Sequence, residues 1–98
     1  MNRDAFVAAA KAEGFAEPVA IARDASYRLD DHEHSFDAFA LITQGAFTIE
    51  VAGQATTYPA GSTFRLSAWT PHVEWAGPQG VEYLAARREQ PRKEASKP

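Results

Sequence analysis

Two of the three histidines in this 98-residue chain, His32 and His34, lie one residue apart within the stretch DDHEHSFDA. On a β-strand, side chains two residues apart project from the same face, about 6 to 7 Å apart along the backbone. That spacing lets two imidazoles converge on one metal ion. The alternative is a solvated polar turn with ordinary hydrogen bonds, because acidic residues surround the pair. The pair alone therefore permits a metal site without requiring one.

The third histidine, His72, begins the segment HVEW. On a strand, Glu74 would share the face of His72, and Val73 and Trp75 would lie on the opposite face. Four metal-binding side chains from two strands could then meet. Imidazole and carboxylate ligands suit Fe(II), Mn(II), Ni(II), Cu(II) or Zn(II), and three protein ligands leave coordination positions open for water or substrate. Because the chain has no cysteine, thiolate sites and disulfides are excluded.

Short strands are the elements that must position these side chains. Beyond Gly14, β-branched and aromatic residues occur in short runs separated by Gly and Pro, and several glycines are eight residues apart. This pattern predicts an all-β antiparallel sandwich or barrel. About eight strands are expected: VAIAR, SYRLD, AFALIT, AFTIEVAG, ATTYPAG, STFRLS, HVEW and VEYLAAR.

The chain has room for one domain with a single modest core. Asn2 is a suitable N-cap for a helix from Arg3 to Glu13, with Gly14 ending it. We therefore expect residues 1–14 to form a helix that packs on a barrel of residues 15–88. Residues 89–98, rich in Pro, Lys and Glu, are expected to be a flexible C-terminal tail.

Charge and hydropathy argue against two classes of partner. The net charge of −3 argues against a nucleic-acid surface, which needs clustered Lys and Arg. No apolar run approaches the roughly 18 residues of a membrane span, and the first residues lack a signal-peptide core. We expect a cytoplasmic protein that contacts neither nucleic acid nor membrane.

The histidine spacings resemble those of the cupins. Their first motif runs Gly, five residues, His-x-His, three or four residues, Glu, six residues, Gly. His32, His34 and Gly45 stand at this spacing, but Ala38 occupies the position of the glutamate and Ser26 that of the leading glycine. In the second motif, Gly61 and His72 stand at the expected separation, whereas Ser67, Trp69 and Ala76 replace its Pro, Gly and Asn.

The resemblance implies a double-stranded β-helix, the jelly-roll or cupin barrel, in a small single-domain cupin of the cupin 2 type. It also implies that His32, His34 and His72 point into the barrel as metal ligands, and that the chain forms a homodimer. Ala38 removes the usual carboxylate. Glu74 is then a candidate fourth ligand, with a hydrogen-bonding role in the pocket, or exposure to solvent, as the alternatives.

Three functions follow from this resemblance. The first is a metal-dependent enzyme, dioxygenase-like or isomerase/lyase-like, acting on a small organic molecule with Glu74 as general base. The second is a non-catalytic cupin that binds or senses a metal or small ligand, and the third is a degenerate cupin without metal. Phe36 and Trp69 are the candidate ligand-contacting aromatics, Trp69 at the pocket mouth; the alternative for such residues is core packing.

Overall fold

A computed structural model describes residues 1–91 of the chain. One helix precedes six strands: α1 Arg3–Ala12, β1 Val19–Arg23, β2 Arg28–His32, β3 Phe36–Val51, β4 Gln54–Pro59, β5 Thr63–Leu66 and β6 His72–Glu89. All pairings between the strands are antiparallel, so the predicted all-β class with a short N-terminal helix is confirmed. Most of the tail predicted at residues 89–98 lies outside the described residues.

Two long strands, β3 and β6, form the centre of the fold, and each combines two strands that the sequence predicted as separate. The predicted break at Gly45 was wrong. Gly45 has φ +75° and lies against Gly80 of β6, which has φ +81°. The pairing register between β3 and β6 shifts on both sides of Gly45. The glycines therefore bend the two strands through bulges without ending them.

The bend divides the pairing into two halves. In one half, β5 pairs with residues 38–41 of β3, and β1 pairs with residues 81–85 of β6. In the other half, β4 pairs with residues 46–51 of β3, and β2 pairs with residues 72–75 of β6. Each half is thus a four-stranded layer built on the same two long strands, as a double-stranded β-helix requires.

Apolar side chains fill two separate clusters. The interior cluster between the layers comprises Ala40, Ile42, Phe47, Ile49, Phe64, Ala76, Val81 and Tyr83. The second cluster lies beneath the helix and comprises Phe6, Ala10, Phe15, Phe39, Leu41, Leu84 and Ala86. Alternation along β3 and β6 sends neighbouring residues to opposite clusters, which is why both strands read as long apolar runs.

Helix α1 covers one outer face of the barrel. Asn2 caps it by accepting a hydrogen bond from the Ala5 N–H at 2.8 Å, as predicted, and the helix ends at Ala12, one residue earlier than expected. The ring of Phe6 packs on Phe39 with centroids 4.8 Å apart. Within residues 1–91, no helix has the length and apolar character needed to cross a membrane.

Candidate metal centre

Strand pairing brings the predicted histidines together. His32 ends β2 and His72 begins β6, and the two residues are paired across the antiparallel ladder. Glu74 lies two residues after His72 and therefore faces the same side of β6. His34 lies in the short connection between β2 and β3. One ligand atom from each of these four residues lies within 4.8 Å of all the others, so the structure places the predicted ligands in one group.

Two of the imidazoles are oriented by backbone carbonyl groups. The Nδ1 of His72 lies 2.9 Å from the Thr70 carbonyl oxygen, and the Nδ1 of His32 lies 2.8 Å from the Asp30 carbonyl oxygen. A neutral imidazole has one N–H, and here a carbonyl acceptor requires it on Nδ1. The Nε2 lone pair of each ring is therefore directed into the group. Metal-binding histidines in proteins are held in the same way.

Glu74 is buried, and each of its carboxylate oxygens has a different neighbour. Oε2 accepts a hydrogen bond from the Tyr27 hydroxyl at 2.5 Å. Oε1 lies 3.1 Å from Nε2 of His72 and 3.6 Å from Nε2 of His32. Lone pairs on oxygen and nitrogen thus face each other in a buried site, and a proton or a cation between them is needed to make the contact favourable.

His32 has a buried nitrogen with an unsatisfied lone pair. Its Nε2 is buried and has no hydrogen-bond partner among the described residues. Buried polar atoms in native proteins nearly always have a partner, and an exception calls for a reason such as a bound ion. The donor set of three imidazoles and one carboxylate is one that divalent transition metals accept. The residues present therefore fit a metal ion.

His34 completes the group as a neutral ring. Its centroid lies 4.8 Å from that of His32 and 4.9 Å from that of His72. Burial lowers the pKa of His34 below its usual value, and the neighbouring His72 and His32 lower it further. The ring also stacks on Phe36, with centroids 4.6 Å apart and planes 7° from parallel. The neutral form is the one that coordinates metals.

A cavity of about 170 Å³ adjoins the group. Its polar lining includes His34, His72 and Glu74, and its apolar lining includes residues of the interior cluster together with Phe36, Ala38 and Leu66. Such a volume is below that of pockets for drug-sized ligands, so the cavity suits a small molecule.

The two predicted ligand-contacting aromatics have different positions. Phe36 lines the cavity, whereas Trp69 is not among the lining residues. Trp69 has φ +64°, and its backbone N–H donates to the His34 carbonyl oxygen at 2.8 Å. Its indole N–H donates to the Gln90 carbonyl oxygen at 3.3 Å. Through these hydrogen bonds Trp69 fixes the backbone at His34 and connects it to the chain near Gln90.

Sequence reasoning missed four polar residues of the cavity: Arg23, Tyr27, Tyr83 and Arg87. Burial raises the pKa of Tyr27, and its hydrogen bond to Glu74 raises it further, so the hydroxyl remains a donor at neutral pH. Tyr83 also has its pKa raised by burial. Nothing in the spacing of these residues distinguishes them from ordinary strand residues, because their convergence depends on which strands pair.

Comparison with known proteins supports the fold. No family model matches the chain, and no curated protein matches it. A cupin-2 domain containing protein from Shewanella frigidimarina is 19% identical, with a TM-score of 0.57 over 78% of this chain and 68% of its own. KdgF from Halomonas sp. is 24% identical, with a TM-score of 0.60 over 80% of this chain and 70% of its own. A cupin superfamily protein from Desulfitobacterium hafniense is 18% identical, with a TM-score of 0.66 over 76% of this chain and 67% of its own.

The likeness to these structures concerns the barrel. The chain spans about two thirds of their length, and the identities are too low to transfer an activity. The two layers built on shared long strands agree with this likeness. The chain therefore has the fold of a small cupin domain, a double-stranded β-helix, as its histidine motifs predicted.

Proposed function

We propose that this chain binds one divalent transition metal through His32, His34, His72 and Glu74, and a small organic molecule in the adjoining cavity. One observation carries the proposal: the buried Nε2 of His32, without a hydrogen-bond partner among residues 1–91, is directed at an oxygen of Glu74. A cation between them satisfies both lone pairs at once. The backbone carbonyl groups that orient His32 and His72 support the same reading.

Glu74 supplies the charge that the cupin motif normally carries on β3. Three neutral imidazoles alone give a divalent cation no negative partner, and Ala38 provides none. A carboxylate two residues after His72, buried and already oriented by Tyr27, meets that need from β6. Because both of its oxygens are engaged, we assign Glu74 to metal binding and positioning and not to general-base catalysis.

A divalent ion bound by these residues would supply a Lewis acid beside the cavity. The chain's own residues then orient and enclose the second molecule. Tyr27 holds Glu74 in place, Phe36 offers a ring face beside His34, and the apolar wall excludes water. Catalysis on the bound molecule and non-catalytic sensing, both predicted from the resemblance, share this first requirement. Turnover stays a prediction, as do the cytoplasmic location and the homodimer.

The first experiment is the metal content of protein purified without an affinity tag, measured by elemental mass spectrometry. About one equivalent per chain is expected in the native protein, and less than a tenth of that in the His34→Ala and His72→Ala variants. The Glu82→Gln variant is the control, because Glu82 is an exposed carboxylate on the same strand as Glu74. No metal in the native protein, even after incubation with Fe(II), Mn(II), Ni(II), Cu(II) and Zn(II), would overturn the proposal.

A further inference from the structure

Two arginines line the cavity beside the candidate metal centre: Arg23 at the end of β1 and Arg87 near the end of β6. Both residues are exposed overall, so they border the opening of the cavity. Among residues 1–91, Glu74 is the only carboxylate lining the cavity, and it is turned toward the histidines and Tyr27. The cavity therefore has an excess of positive charge even before a metal is added.

In the part of the chain that the structure describes, neither guanidinium has a carboxylate partner. Among residues 1–91, Arg28, Arg65 and Arg88 each form an ion pair with an Asp or Glu, and no ion pair includes Arg23 or Arg87. An arginine without a carboxylate partner at a concave site can direct its planar fork of donors to the carboxylate of a ligand.

Aromatic rings connect each arginine to the metal centre. The guanidinium carbon of Arg87 lies 4.3 Å from the ring centroid of Phe36, and Phe36 stacks on His34. On the other side, the guanidinium carbon of Arg23 lies 4.9 Å from the ring centroid of Tyr27, whose hydroxyl binds Glu74. Both guanidinium groups are near enough to Tyr83 to lower its pKa against the effect of burial. The two cations therefore flank one small space.

The residue opposite Arg87 explains why this cation has no carboxylate partner within residues 1–91. Ala38 of β3 is the cross-strand partner of Arg87, and both residues line the cavity. Directly opposed side chains have Cβ atoms about 4.5 to 5.5 Å apart, so a glutamate at position 38 would face the guanidinium. The alanine leaves both the space and the charge available.

We propose that Arg87, assisted by Arg23, binds the carboxylate of a small organic acid whose remaining polar atoms reach the metal centre. The inference rests on the proposed function of the cavity and names the class of molecule it takes. A carboxylate matches the planar guanidinium by two parallel hydrogen bonds, and the volume of about 170 Å³ limits the acid to a few carbon atoms. The apolar wall contacts the carbon chain.

Succinate is the probe, with succinamide as its uncharged counterpart and inorganic phosphate as a competing oxyanion. Binding is measured by isothermal titration calorimetry on the metal-free and the Zn(II)-loaded protein, at low ionic strength. We expect succinate to bind the native chain and succinamide to bind at least tenfold more weakly. Arg87→Gln should weaken succinate binding about tenfold to a hundredfold, the range for a charged pair of hydrogen bonds, and Arg23→Gln by a smaller factor.

Two further variants separate recognition from simple damage to the barrel. Ala38→Glu keeps Arg87 but places a carboxylate opposite it, and should weaken succinate binding as strongly as Arg87→Gln. Arg28→Gln is the matched control, because Arg28 also stacks on an aromatic ring, Trp75, at 5.1 Å, but lies outside the cavity lining. Its succinate affinity should stay within twofold of the native value.

Metal content, measured in the same samples, distinguishes this inference from the proposed function. Zn(II) uptake with no preference for succinate over succinamide overturns the inference and leaves the metal site standing. Succinate binding that depends on Arg87 in a chain that takes up no metal supports the inference and overturns the metal site. Equal losses in Arg28→Gln and Arg87→Gln, or binding of phosphate in preference to succinate, also overturn the assignment to a carboxylate.

Discussion

Replacing Glu74 by glutamine should change the stability of the protein in opposite directions with and without metal. In the metal-free chain, Oε1 of Glu74 faces the Nε2 lone pair of His72 at 3.1 Å, whereas Tyr27 donates to Oε2. A glutamine amide can donate to the imidazole nitrogen and still accept from the tyrosine. The metal-free variant should therefore equal the native chain in unfolding free energy or exceed it by up to about 1 kcal/mol.

With metal bound, the same substitution removes the one anionic ligand. Zn(II) at a hundred times its dissociation constant stabilises the native protein by about 2.7 kcal/mol through mass action. If glutamine weakens Zn(II) binding tenfold, the same Zn(II) concentration stabilises the variant by only about 1.4 kcal/mol. For a domain of this size, these values correspond to increases in Tm of about 11 to 22 °C and about 6 to 11 °C.

Calorimetric melting curves at pH 7.5, with chelator and with Zn(II), measure both effects on one sample. Glu82→Gln is the control, because Glu82 is exposed on the same strand and should change neither curve by more than about 0.5 kcal/mol. A variant that keeps the full Zn(II)-induced shift would show that Glu74 is not a ligand. A loss of more than about 2 kcal/mol in the metal-free variant would show that Glu74 is paired with a protonated imidazole instead.

Two further predictions concern the barrel. Gly45→Ala should lower the free energy of unfolding by at least about 3 kcal/mol, because the new Cβ would lie 2.1 Å from the Gly80 carbonyl oxygen. The control is Gly53→Ala, which is also at positive φ but in open space and should lower it by about 1 kcal/mol in the same denaturant titration. The backbone N–H of Ala68, and then the side chains of Arg88 and Gln90, lower the pKa of Asp37. Its contribution to folding stability is therefore present above about pH 4 and is lost at lower pH. Asp37→Asn should lower the free energy of unfolding by about 1 to 2 kcal/mol at pH 7 and make it decline less steeply below pH 4. Urea titrations across this pH range measure both effects, and a decline as steep as in the native chain would contradict the prediction.

The grouping of the candidate metal ligands was predictable from sequence because its determinants are local. His32 and His34 share a side through their spacing, and His72 and Glu74 share a strand face for the same reason. Only the pairing of the two segments had to come from the resemblance. Whether Glu74 joins the histidines could not be decided in the same way, because it depends on Tyr27, 47 residues away along the chain.

The predicted strand break at Gly45 failed for a physical reason, and the arginines were missed for a different one. The sequence predicts that Gly45 ends a strand. In the structure Gly45 adopts a positive φ within a bulge, and β3 continues beside β6. Ala38 faces Arg87 in the part of the ladder before this bulge. The sequence alone does not show which strands pair or in which register, so neither the cavity wall nor its charge can be read from it.

The position of the carboxylate connects the metal centre to the choice of ligand. In the cupin motif the carboxylate would stand at position 38 on β3, where it would face Arg87 across the ladder and neutralise it. Here the carboxylate stands at Glu74 on β6, beside His72 and turned away from the guanidinium. One relocation therefore supplies the anionic ligand for a metal and leaves Arg87 free for an anionic substrate. Ala38→Glu tests both consequences in a single chain: Zn(II) binding should be retained or tightened while succinate binding is lost, and loss of both would contradict this account.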